Sequence, residues 1–545
     1  MRARAVHGAG SRIADESDAA PMTAIPPVAA APRRDLAWLL PLVLLLVDLG
    51  GTPLFDVDEG AFATATREML ASGDWLSVTL NGLPRFDKPI LIYWLQAASV
   101  AVLGFSEWSV RLPSALAAAA WCWVTCRFAR EHFGASAATV ALTVAATSIG
   151  VLVIGRAATA DALLNLLLAA AALDGFRYLG TRARRPLRRA YLWVALGLLA
   201  KGPIAVLVPG AALALYAVAS RQRADRLDAL WRALGDGRGW LILIAVALPW
   251  YVAALWIHGQ AFIDGFLMKH NVERALSPLQ GHRGFAGYQL VATLALLLPW
   301  SVALLGAAAG IRRDWDDDLK RFLWLWFLFV LAFFSLVSTK LPHYMLYGAT
   351  PLFLLVALRV RQWAGGVRWQ RGLLLAPPLL LLALLPLLPS AVAAQAAATS
   401  GTYVGAMLAR AHEVASQQQF VLKTLAVFAL AVALAFALRR APLVLAGALA
   451  GLTALCMITV VSPYAGEILQ GPIRRAVEVA RARPETVVLW HFPAPSFSAY
   501  LGRVTPPREP APGELALTRI GQVPADIAVE ELFREGGVLL VKRIR

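Results

Sequence analysis

The sequence predicts an all-α polytopic membrane protein ending in a small α/β domain outside the membrane. Three observations predict it. The 545-residue chain is 59% hydrophobic and 16% charged, whereas a soluble domain is nearer half apolar and a quarter charged. Apolar runs of roughly 17–25 residues recur along most of it, each long enough to cross a bilayer as a helix. At Ser462 the composition changes, and 487–490 and 538–541 read as strands among Gly, Pro and Ser turns.

Residues 1–35 carry Ala, Pro, Ser and charge without apolar periodicity, and read as a disordered cytoplasmic tail. The apolar run 36–49 follows Arg33 and Arg34. No small-residue cleavage site follows it, so it reads as a retained first crossing running outward. The next apolar run, 89–104, is about 16 residues long and contains Tyr93, Trp94 and Gln96. If it crossed, the five arginines between Arg182 and Arg189 would fall outside, against the positive-inside tendency. A helix lying along the interface suits its length and its aromatics.

With that helix flat, crossings follow near 110–127, 137–154 and 162–179. The 30-odd residues of 191–220 read as two short helices meeting outside at Lys201-Gly202-Pro203. Further crossings are expected near 240–256, 287–305, 322–337, 341–358, 372–388, 421–438 and 443–461, about thirteen in all. The transmembrane domain then spans 36–461, with outer loops 51–108 and 258–286, and 462–545 forms an extracytoplasmic domain. Much of the net charge of +17 lies in short loops, where it sets topology, and no nucleic-acid-binding pattern accompanies it. Cys122, Cys126 and Cys456 show no disulfide spacing and read as packing residues.

Ionisable groups at the membrane edge are costly and tend to be functional. In this topology they share the outer face. Asp58 and Glu59 open an amphipathic segment that Asp58 could also simply cap. Arg85-Phe86-Asp87-Lys88 stands at the mouth of the interfacial helix. Asp161 sits between two crossings with Asn165 one turn later, and a helix cap paired with Arg156 is its structural reading. Lys269-His270-Asn271-Val272-Glu273-Arg274 fills an outer loop, and Lys340-Leu-Pro-His343-Tyr344 opens another helix. Lys88, Arg274 and Lys340, with Tyr344 nearby, suit a phosphate. Asp58 and Asp161 suit proton acceptance or sugar orientation.

These residues closely resemble the first outer loop and later motifs of bacterial aminoarabinose transferases, within the protein O-mannosyltransferase-like superfamily. The matches are Asp58-Glu59-Gly-Ala-Phe-Ala, Gly73-Asp74-Trp75, Asn81-Gly82, Asp87-Lys88-Pro89 with Tyr93-Trp94, and Ser109-Val-Arg111. They continue with Thr159-Ala-Asp161, Ala200-Lys201-Gly-Pro, His270-Asn-Val-Glu-Arg274 and Lys340-Leu-Pro-His343-Tyr. The resemblance implies a GT-C-type membrane glycosyltransferase that takes a sugar from a polyprenyl phosphate, in the inner membrane with its site facing the periplasm. It implies Asp58 and Asp161 at the reaction centre, with Glu59 beside them, and Lys88 and Arg274 on the donor phosphate. It also implies a structural zinc, for which Asp87 and His270 occupy the family's positions; Asp87 replaces the usual Glu. Aminoarabinose and lipid A are the first assignment. Other sugars, such as hexose or mannose, and glycolipid, polysaccharide or protein acceptors are the alternatives. A lipid-linked-sugar transporter and a non-catalytic assembly subunit are the rival classes.

Overall fold

The computed structural model describes residues 39–273, 285 and 287–545, with side chains of 270–273 excepted. The tail 1–35 and Arg274 lie outside the described residues. Among the described residues, seven helices are long and apolar enough to cross a membrane, eight when one bent pair is taken as a span. The chain is a multi-pass helical bundle. Several expected crossings are instead short or broken, which is why the number falls below thirteen by this measure.

The helix Leu91–Leu103 has 13 residues, about 20 Å of rise against a hydrocarbon core of about 30 Å. It is too short to cross. Gln96 fixes its place: it accepts from Thr66 Oγ1 (2.9 Å) and donates to the Val110 carbonyl (3.1 Å). That ties it to the first-loop helix Asp58–Ser72 and to the helix Glu107–Phe133. The latter begins at a capping box in which Ser106 and Ser109 bond each other's backbone.

The expected single crossing over 137–154 is corrected. It is two helices, Ala135–Thr147 and Ile149–Gly155, bent by 61°. Thr147 and Ser148 donate their hydroxyls to carbonyls four residues back, a pattern that loosens and bends helices. The run over 287–305 is likewise divided, into Tyr288–Leu296 and Ser301–Ala308. The pair Arg184–Lys201 and Ile204–Ala219 meets at Gly202 as expected. Gly202 has φ +78°, and a Cβ there would lie 2.8 Å from the Phe266 ring, so both backbone and space require glycine.

The composition shift at Ser462 falls inside a helix. Pro442–Cys456 runs through wider turns at Met457–Val461 into Ser462–Arg481, forming one 40-residue rod. Beyond it, four strands lie in the spatial order Val487–Leu489, Leu515–Arg519, Val538–Arg543, Val529–Glu535, the first pair parallel and the others antiparallel. Their inner face packs Leu515, Leu517 and Leu540 against Ile473 and Val477 of the rod and Phe497 of the short helix Pro495–Leu501.

That short helix docks on the first-loop helix. Thr64 Oγ1 donates to the Pro495 carbonyl at 2.6 Å, Arg67 Nη1 to the Ala499 carbonyl at 2.6 Å, and Leu54 N to the Tyr500 hydroxyl at 2.7 Å. A Cβ on Gly60 would lie 2.4 Å from Ser496 N. The two helices touch through backbone.

Candidate active site

The first loop is held by one buried arginine. Arg111 donates to the carbonyls of Leu49 (3.0 Å), Thr52 (2.8 Å) and Pro53 (2.8 Å), and to both oxygens of Glu59 (2.8 Å each). Glu59 also accepts from Phe55 N (3.0 Å) and Ala158 N (2.7 Å). Its carboxylate is 4% exposed and that of its partner guanidinium 2%, with every strong acceptor direction taken. Glu59, expected beside the reaction centre, clamps the first loop to the turn before Asp161.

Asp58, its neighbour, is exposed at the start of its helix, where the dipole favours a carboxylate. The cap position belongs to Val57, which makes no side-chain bond, so the capping role considered for Asp58 is also corrected.

Asp161 opens the helix Asp161–Thr181. Its partner is not Arg156, which donates to the carbonyls of Val47 and Asp48 (2.7 Å each). Lys201 is bonded to the Asp161 carboxylate and donates to the Tyr347 hydroxyl at 2.9 Å. His343 Nε2 stands 3.9 Å from Asp161 Oδ1. Asn165, expected on the same face, donates to the Asp161 backbone carbonyl at 2.9 Å instead of to its carboxylate.

Lys88 is within electrostatic reach of Asp161, and its ammonium donates to the Asp87 carbonyl at 2.9 Å. Arg85 pairs with Asp87 at 3.1 Å and donates to the Tyr93 hydroxyl at 3.2 Å, and its charge reaches Asp58. Two residues expected on the phosphate, Lys340 and Tyr344, have protein partners in the structure. Lys340 donates to the backbone carbonyls of Phe334 (3.3 Å), Ser335 and Val337 (2.7 Å), closing the end of the helix Asp318–Leu336. Tyr344 is buried among the rings of Phe334, His343 and Tyr347. For the zinc expectation, Asp87 is engaged by Arg85 and the His270 side chain lies outside the described residues. Among the described residues no three His, Cys, Asp or Glu side chains form a metal centre.

Asp58 and Asp161, from segments about a hundred residues apart, line one cavity of about 540 Å³. Apolar walls from Leu152, Ile154, Leu296, Met457, Ile458 and Val461 complete it. The Asp58 and Asp161 carboxylates and the Arg156 side chain beside hydrocarbon walls suit an amphiphile with a polar head.

Asp56, at the cavity floor, was not among the expected residues. It accepts from Ser496 N at 2.8 Å and bonds the Ser496 hydroxyl. Burial pushes its carboxyl up to about 7, although the bonds to Ser496 oppose this. The unfolded chain therefore loses this proton first as pH rises. The stability held here is full below about pH 4 and is lost as pH climbs through about 7. Thermal unfolding of wild type and Asp56→Asn between pH 4 and 8 should show that downward slope in the wild type and a flatter one in the variant.

The bundle, its paired short helices and the carboxylate pocket between the first loop and Asp161 define a GT-C-type membrane fold. Crystal structures of ArnT from Cupriavidus metallidurans share it: the form bound to undecaprenyl phosphate superposes with TM-score 0.76 at 19% identity, covering 93% of this chain and 97% of that one. The apo form gives 0.77 at 20%, with the same coverage. A profile described as dolichyl-phosphate-mannose-protein mannosyltransferase matches residues 87–250. Among relatives, an undecaprenyl phosphate-alpha-4-amino-4-deoxy-L-arabinose arabinosyl transferase of Shewanella sediminis is 31% identical over 60% of this chain and 60% of its own length. One from Aeromonas salmonicida is 30% identical over 64% of this chain and 66% of its own. The chain thus spans about 55–66% of the length of the curated relatives it matches. The resemblance to aminoarabinose transferases is borne out by the relatives, and the expected fold by the solved structures.

Proposed function

We propose that this chain is a membrane glycosyltransferase moving a sugar from a polyprenyl phosphate to an acceptor on the periplasmic side of a bacterial inner membrane. Aminoarabinose transfer to a lipid A phosphate is the first assignment. The observation that carries the reading is the shared cavity of Asp58 and Asp161, whose lining sets these carboxylates beside hydrocarbon walls. The relatives' names supply the sugar.

In the reaction the bond from the anomeric carbon to the phosphate oxygen breaks, and an acceptor oxygen bonds that carbon from the opposite face. Polyprenyl phosphate departs. The protein's work is positioning and positive charge on the leaving phosphate. Lys88 and Arg274 are assigned that charge. A hydroxyl acceptor would need Asp58 as base; a phosphate acceptor is already ionised, and both carboxylates would then hold the sugar's amine or hydroxyls.

A second reading, transfer of a hexose, draws on the mannosyltransferase match over 87–250. Transport is disfavoured because the carboxylates gather at one end of the bundle, whereas transporter sites lie near the midplane. Lipid analysis of the envelope tests all three. A strain lacking the protein, or carrying Lys88→Ala, should lose one sugar decoration while retaining donor lipid and bare acceptor. Donor trapped on the cytoplasmic leaflet would establish transport, and unchanged glycolipids would remove both classes.

A further inference from the structure

A second built pocket lies at the far end of the molecule. The helix Asp161–Thr181 begins at the carboxylate cavity and ends at Arg182, ~30 Å away by its rise. There Tyr178, Arg182, Arg184, Asp228, Arg232 and Asp236 line a cavity of about 600 Å³. We propose that this pocket binds the phosphate headgroup of an anionic membrane phospholipid.

Charge comes first. From Arg182 to Arg238 ten arginines stand against three aspartates. Arg182 pairs with Asp225 (2.7 Å) and Asp228 (3.2 Å), and Arg232 with Asp228 (2.8 Å), so the aspartates hold two guanidinium groups at the rim. Asp236 accepts from Gly239 N at 2.9 Å as a helix cap. Arg184 has no acidic partner among the described residues. A pocket with a surplus guanidinium beside two fixed ones matches a phosphate monoanion or diester, which arginine grips by two parallel bonds.

The surroundings select a lipid over a soluble anion. The helix Arg223–Leu234, which supplies Asp228 and Arg232, leaves Trp231 72% and Leu234 50% exposed. Trp240, bonded through Nε1 to the Leu234 carbonyl at 2.7 Å, and Leu241 continue this apolar rim, 44% and 66% exposed. Exposed tryptophans beside a basic pocket are the arrangement of a headgroup-level site with acyl chains running along the bundle.

The test uses the full-length protein, purified in detergent and stripped of lipid, with thermal unfolding as readout. Phosphatidylglycerol should raise the midpoint saturably, and phosphatidylcholine should not. Arg184→Ala should need about fivefold more phosphatidylglycerol for half the shift. Arg184→Lys should fall between, and Arg440→Ala, a charge removed from an exposed turn elsewhere, should match wild type. Equal shifts with phosphatidylcholine, or equal half-points for Arg184→Ala and Arg440→Ala, would overturn the proposal. So would the same shift from inorganic phosphate alone, which would make the site one for a soluble anion.

Discussion

Asp58→Asn is expected to lower sugar transfer roughly 10²–10⁴-fold, the range for losing a positioned acid–base or orienting carboxylate, while leaving the unfolding temperature near wild type. Asp58 is exposed at the cavity, makes no ion pair among the described residues, and Asn keeps its shape. Asp161→Asn should behave differently. Its carboxylate is bonded to Lys201, whose ammonium is only 12% exposed and would be left facing an amide. That variant should lose both activity and stability. Adding Lys201→Met should recover much of the stability and none of the transfer. The measurements are transfer by membranes supplied with polyprenyl-phosphate sugar, and thermal unfolding of each purified variant. Wild-type transfer by Asp58→Asn would dismiss that residue from the reaction.

The second large effect is structural. Glu59→Gln leaves the Arg111 guanidinium buried without its counter-charge, a change that costs about 3–5 kcal/mol when one partner of a buried pair is removed. Total stabilities are about 5–15 kcal/mol, so the folded yield should fall sharply. Glu59→Gln with Arg111→Met should be less damaging than the sum of the two, because the pair is coupled. A Glu59→Gln protein that unfolds like wild type yet transfers no sugar would return Glu59 to the chemistry.

Asp58 and Glu59 mark the limit of what a sequence discloses about this site. They are adjacent carboxylates, and what separates them is an arginine 52 residues from Glu59 that reaches only one. The carbonyl contacts of Lys340 have a readable cause: it follows a helix ending at Leu336, where a cation bonds terminal carbonyls. The shortness of the helix Leu91–Leu103 was legible from the apolar run itself, and the break at Lys201-Gly202-Pro203 from its punctuation. The bend at Thr147 and Ser148 carries no Gly or Pro, and hydroxyls bonding backward within a helix look like ordinary polar residues until the carbonyls they meet are seen. Lys201 sat in a recognised motif without a role, because its partner Asp161 lies 40 positions earlier.

The rod Pro442–Arg481 has a consequence for how such proteins diversify. Forty residues of unbroken helix reach ~60 Å, joining the last crossing to the strands beyond without a hinge. At its far end the domain grips the first loop through Ser496 and Tyr500, which meet Asp56 and Leu54, and the first-loop helix through Ala499, which meets Arg67. The terminal domain is therefore a strut braced at two points, and it cannot be exchanged between relatives as a free cassette. A chimera that imports another relative's terminal domain would have to import the matching face of Asp58–Ser72 with it, Asp58 included.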